Sequence, residues 1–312
     1  MKVISIHSHK GGAGKTTLAL MTARRLAENG RKVCLVDLDF LGAGVDPAIT
    51  MQRPKHYLEE LLLASAGSKQ SPKIKDLLGR HNVGPGAKPI ALILNTGHQS
   101  PATPADEGQD RPASLHTGVV RLLGLEEQTG IVERRMGSLL GGLKDLGFDY
   151  VILDCHPTLE EISETVLRVQ MARPPENAAI VLVSTADRAH VHGLLKEMLR
   201  RTKSPSGVTL DLNRTVLVVN KVEGDEEKRP YRSTLASFTE LAEELKSDPV
   251  VGDEAPLLTK SVRPGNYCRI LRHDLLTSRA FAVGSSGEIP RWPVGILTHS
   301  GTPLCEELFG PK

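Results

Sequence analysis

Six short, β-rich runs recur along the 312-residue chain: "KVISIH", "KVCLVDLD", "IALILNTG", "DYVILDC", "AAIVLVST" and "TVLVVNKV". Apolar residues run through them continuously instead of alternating with polar ones, so both faces of each strand must be covered. Doubly buried strands separated by helical patterns form a parallel sheet with helices packed on both faces. The expected fold is therefore α/β, a doubly wound, mostly parallel sheet. The intervening helices are legible too. Thr16 to Asn29 stops against Gly30, a C-cap signal, and "GIVERRMGSLLGGLKDLG" leads into "DYVILDC".

A chain of this length leaves one extended domain or two small ones open. The layout favours a single domain over 1–312 with an insertion at about 51–118 on one edge of the sheet. Within that insertion, residues 51–89 hold a helix-like "HYLEELLLASA" and a second short helix around "KIKDLLGR". Residues 97–118, "GHQSPATPADEGQDRPASLHTG", carry three prolines and no apolar periodicity, and read as a mobile loop.

The net charge of +2 marks no global polyanion binder, so any nucleic-acid contact needs a local patch. Cys34, Cys155, Cys268 and Cys305 lie far apart, with no C-x-x-C pair for zinc, an iron–sulfur cluster or redox exchange. No run approaches the ~18 apolar residues of a membrane span, and "KVISI" is too short for a signal peptide. A cytoplasmic protein is expected.

The chemistry concentrates after the first strand, in "HSHKGGAGKTT". Gly11, Gly12 and Gly14 let backbone N–H groups turn toward phosphate oxygens, and the N-terminus of the following helix adds partial positive charge. Lys15 would reach the β/γ-phosphates, and the Thr16 hydroxyl would coordinate Mg²⁺. The pattern G-x-x-x-x-G-K-[ST] fails at one place: His9 stands where the first glycine belongs, and an additional lysine, Lys10, follows it.

"KGGAGKTT" closely resembles the deviant Walker A loop of the ParA/MinD family of dimerising ATPases. By that resemblance the nucleotide is ATP with Mg²⁺, held by Gly11, Gly12, Ala13, Gly14, Lys15, Thr16 and Thr17. Lys10 is then the signature lysine, which acts across an ATP-bound homodimer on the partner's phosphates. "KVCLVDLDF" resembles the second family motif, with Asp39 as the carboxylate that positions the attacking water and Asp37 nearer the metal. "DYVILDC" resembles Walker B, so Asp154 would hold Mg²⁺ through a water. "VLVVNKV" resembles the strand that presents Asn220 to the adenine edge, where an amide offers both a donor and an acceptor. The catalytic set implied is Lys10, Lys15 and Asp39, and the metal set Thr16, Asp37 and Asp154. One departure follows Walker B: "DCHPTLEE" puts His156 beside the expected γ-phosphate, either as a tolerated loop residue or as a polar group bonding the phosphate or a switch carboxylate.

The resemblance implies a nucleotide-driven dimer switch that positions, partitions or scaffolds a cargo or a protein partner. Partition members bind DNA nonspecifically through basic residues. Candidates here are Lys196, Arg200, Arg201 and Lys203, and a second run with Arg263, Arg269, Arg272 and Arg279. Such residues also complement a helix C-terminus or are simply solvated. The ending "GTPLCEELFGPK" is no basic amphipathic helix, which disfavours membrane docking. An ATP-dependent synthase, or a regulatory or carrier ATPase on the same fold, is the alternative.

Overall fold

The computed structural model describes residues 1–40, 45, 51–64, 71–95, 126–158, 162–185, 187–202, 214–222, 240 and 267–271. In chain order these form β1 (Lys2–Ser8), α1 (Lys15–Glu28), β2 (Val33–Leu38), α2 (Leu58–Leu63), β3 (Gly79–His81), β4 (Ile90–Ile93), α3 (Glu126–Asp145), β5 (Tyr150–Pro157), α4 (Ile162–Met171), β6 (Ala178–Thr185), α5 (Arg188–Thr202), β7 (Thr215–Val222) and β8 (Tyr267–Leu271). The strands make one eight-stranded sheet in the order β3-β4-β2-β5-β1-β6-β7-β8. Every neighbouring pair is parallel except β3 with β4.

Successive residues of a strand point to opposite faces, and both faces here are apolar. Ile4, Leu35 and Ile152 belong to one buried cluster with Leu18, Leu20 and Leu26 of α1. Their chain neighbours Val3, Cys34, Val36, Val151 and Leu153 belong to the other, with Leu139 and Leu143 of α3 and Val166 of α4. This two-sided cover is why the strands read as unbroken apolar runs. It is the doubly wound α/β architecture expected above, and all six expected strands are present.

The structure departs from expectation at the sheet's edges. The second short helix expected at "KIKDLLGR" is a 3₁₀ turn over Ile74–Leu77 followed by strand β3. Two backbone bonds draw this segment out of a helix: Gln52 N–H donates to Arg80 O at 2.8 Å, and Arg80 N–H to Gln52 O at 2.9 Å. The stretch expected as an edge insertion thus adds β3 beyond β4, while β4 pairs directly with β2. β8, which the sequence reading did not mark, extends the opposite edge beside β7. The expected mobile loop at 97–118 lies outside the described residues.

In parallel sheets of this kind, ligands bind at the carboxyl ends of the strands, where the connections change direction. The chain leaves β1 through α1 to reach β2 on one side, and β6 lies on the other. The glycine loop sits at that reversal.

Candidate nucleotide-binding site

The loop between β1 and α1 ends in Gly14, whose φ of +93° lies in the left-handed region, and Gly12 shares that handedness at +75°. A side chain at Gly14 would be strained, and its Cβ would strike the Asn220 amide. Gly14 is the N-cap of α1 and supplies no side-chain cap, and the first turn holds no acidic residue. The first N–H groups of α1 are therefore left for an anion, with the helix dipole behind them.

Lys15, the first residue of α1, is only 5% exposed, and its charge acts on Asp154 and His7. Asp37 and Asp154 face one another across β2 and β5, paired in register, and both are buried. Burial, and next the Asp37 carboxylate, push the Asp154 pKa up to about 8, against the lowering effects of the neighbouring Thr16 side chain and Lys15. Although Thr16 is close enough to lower that value, neither Asp154 oxygen has a hydrogen-bond partner at ordinary geometry. An orphaned buried carboxylate beside a hydroxyl and a second carboxylate is a set of hard oxygen donors that fits Mg²⁺.

Asp39 follows β2. Its N–H donates to Asp37 Oδ1 at 2.9 Å, and its carbonyl accepts from the Asn95 amide at 2.9 Å. His156, at the end of β5, brings Nε2 to 3.9 Å from Asp39 Oδ1. Asn220, near the end of β7, is buried and donates through Nδ2 to Ala13 O at 2.9 Å, clasping the glycine loop from the far side. Thr17 is half-buried on α1. Lys10 stands apart from this buried group on the exposed rim of the loop, its carbonyl held by Ser8 Oγ at 2.7 Å.

Of the basic candidates, Lys196, Arg200 and Arg201 lie on α5, and Arg269 on β8. Lys203, Arg263, Arg272 and Arg279 fall outside the described residues. No helix among the described residues is long and apolar enough to cross a membrane.

Three features escaped the sequence. His9 lays its ring where a Cβ on Gly193 of α5 would be, so a notch in that helix receives the residue that replaces the first loop glycine. His7, the penultimate residue of β1, is fully buried, with Nε2 3.7 Å from Cys155 Sγ and Nδ1 without a hydrogen-bond partner. Burial and then Lys15 lower its pKa to about 3, so this imidazole is neutral, while burial raises the Cys155 thiol. Thr158 adopts a φ of +85°, rare for a β-branched residue.

A parallel sheet with a glycine loop at its point of reversal and carboxylates on the two adjoining strands defines a P-loop nucleotide-binding protein. Residues 4–260 match the CobQ/CobB/MinD/ParA nucleotide binding domain, and the chain belongs to that family. Among curated relatives, an uncharacterized protein of Pseudomonas putida is 29% identical over 171 residues, covering 53% of this chain and 52% of its own length. The chain thus spans about half the length of the first curated relatives it matches. Two solved structures share the fold: the septum site-determining protein MinD of Pyrococcus horikoshii complexed with Mg-ADP (17% identity, TM-score 0.52, 91% of this chain and 86% of that one) and a plasmid partition protein of Borrelia burgdorferi bound to AMPPNP (16%, 0.52, 98% and 96%).

Proposed function

We propose that the chain is a Mg²⁺-dependent ATPase, a single domain over 1–312 that forms an ATP-bound homodimer and switches a cargo or protein partner between two states. The observation that carries this reading is the cluster of buried Lys15, Asp37 and Asp154 with half-buried Thr16 under an uncapped helix N-terminus, both Asp154 oxygens being unpartnered. Gly11, Gly12, Ala13 and Gly14 would cradle the phosphates, Lys15 would neutralise them, and Thr16, Asp37 and Asp154 would hold the metal. Bound there, Mg²⁺ supplies charge neutralisation on the transferred phosphoryl group. Asp39 would orient the attacking water, and Asn220 would serve the adenine from its place against Ala13. Lys10, exposed on the loop's rim, would reach a facing subunit. The solved homologues hold Mg-ADP and an ATP analogue, which supports the choice of ligand. We place the activity in the cytoplasm, where ATP is available.

The test is ATP hydrolysis by the full chain with and without Mg²⁺, alongside its mass in solution with and without ATP. Expected are Mg²⁺-dependent phosphate release and a doubling of mass with ATP. Hydrolysis by a species that stays monomeric would remove the dimer switch, and no binding of Mg·ATP would remove the reading altogether. Adding duplex DNA to the same assay asks whether Lys196, Arg200 and Arg201 of α5 form a nonspecific DNA surface, with stimulated hydrolysis the expected sign.

A further inference from the structure

We infer that His156 is a positioning residue for Asp39: its ring, aimed by a pinned turn after β5, holds the Asp39 carboxylate in the orientation that hydrolysis requires. The inference rests on the ATPase reading above. Its ground is the geometry around residues 156–158.

The β1–β5 ladder pairs Ile6 with Asp154 and then Ser8 with Pro157, so one extra residue is accommodated on β5 just after the Walker B carboxylate. A bulge of this kind re-aims side chains, and bulges gather beside active sites. The re-aimed stretch contains His156. Two hydrogen bonds then fix it: Thr158 N–H donates to Ser8 O at 2.8 Å, and Ser163 Oγ donates to His156 O at 3.1 Å. Pro157 stands on the Gly11 side of the phosphate loop, 4.0 Å from where a Cβ on Gly11 would lie. Thr158 accepts a left-handed φ of +85° to make its bond. Strain of this sort persists only where the surroundings over-determine the backbone, and it collects at switch segments and ligand clamps.

The fixed turn delivers His156 Nε2 to 3.9 Å from Asp39 Oδ1, with the two side chains 17% and 13% exposed. Asp39's own backbone is held on both sides, by Asp37 and by Asn95. Those bonds hold the backbone of Asp39, and the imidazole stands beside Oδ1, where it can bias the rotation of the carboxylate. The contact is longer than a hydrogen bond, as catalytic contacts often are before the ligand closes the site. Because Ser8 accepts from Thr158 N–H and donates to Lys10 O of the loop, phosphate binding and the His156–Asp39 contact would tighten together.

The experiment uses the full chain with Mg·ATP, measuring affinity by titration calorimetry and hydrolysis in a single turnover. Groups that orient a working carboxylate or imidazole cost roughly 10–100-fold when removed, so His156→Ala should slow hydrolysis by about that factor while ATP affinity stays within about 3-fold. His156→Gln, which restores an N–H near the position of Nε2, should recover most of the rate. In an Asp39→Ala background, His156→Ala should slow hydrolysis by less than about 2-fold further, because it acts through Asp39. Parent-like hydrolysis by His156→Ala overturns the inference, as does an undiminished loss in the Asp39→Ala background, or equal losses in the alanine and glutamine variants. A parent that binds no Mg·ATP overturns the ATPase reading itself, and an Asp39→Ala variant that turns over at the parent rate removes Asp39 from that reading.

Discussion

Lys15 keeps its charge almost wholly out of water, within electrostatic reach of Asp154 and a neutral imidazole. Removing one partner of a buried charge pair costs about 2–5 kcal/mol of binding, so Lys15→Ala should lose that much Mg·ATP affinity by calorimetry. His7 makes a different prediction. Its folded pKa of about 3 lies below the ordinary value of 6.5, so as the pH falls below 6.5 the unfolded chain takes up a proton that the folded chain refuses. Stability is therefore level above pH 6.5 on this account and falls toward pH 3, by up to about 1.4 kcal/mol per unit of separation. His7→Leu should flatten the decline of the urea midpoint between pH 6.5 and 4.5, and an unchanged slope would clear His7 of that role. Lys15, Thr16, Asp37 and Asp154 were legible because each sits at a set distance from a strand end. His7 was not, because nothing in "KVISIHS" tells a buried ring from an exposed one.

Elements with apolar interiors announced themselves, since two-sided burial leaves its mark along most of β1, β2, β5 and β6. β3 spans only Gly79–His81; it pairs with β4 on one side, and its partner on the other, Gln52, lies 28 residues from Arg80 in sequence. Spacing cannot register such a partner. The same holds for the seat of His9 on α5. A Cβ on Gly193 would strike the His9 ring, yet that ring is the movable end of a half-buried side chain. Gly193→Ala should gain up to about 1 kcal/mol in helix propensity, enough to offset the displacement and leave the melting temperature nearly unchanged. ATP affinity should nevertheless drop, because the first residue of the loop has lost its seat. A variant with parent affinity would show the notch to be passive.

At the scale of the whole molecule, the exposed rim and the buried cluster should separate in a dimerisation assay. Lys10→Ala should bind ATP as the parent does but sediment as a monomer. Its hydrolysis should fall by about 10³-fold, the lower range for a charge supplied in trans to a transferred phosphoryl group. Asp39→Ala should instead accumulate as an ATP-bound dimer that turns over poorly. If Lys10→Ala dimerises and hydrolyses ATP like the parent, Lys10 is a solvated surface lysine.

The place of β1 in the sheet also governs when the site can come into being. The entire loop sequence has been synthesised once residue 17 is added, but β1 pairs with β5 and β6, whose first residues are Tyr150 and Ala178. Until those strands emerge, the loop hangs from a strand with no neighbours, and at about 5–20 residues per second the wait is on the order of ten seconds. A nascent chain of this protein therefore carries its most recognisable motif long before it can hold a nucleotide. A released fragment of residues 1–149 should show no Mg·ATP affinity, because a loop's chemistry belongs to the pairings on either side of it as much as to its own letters.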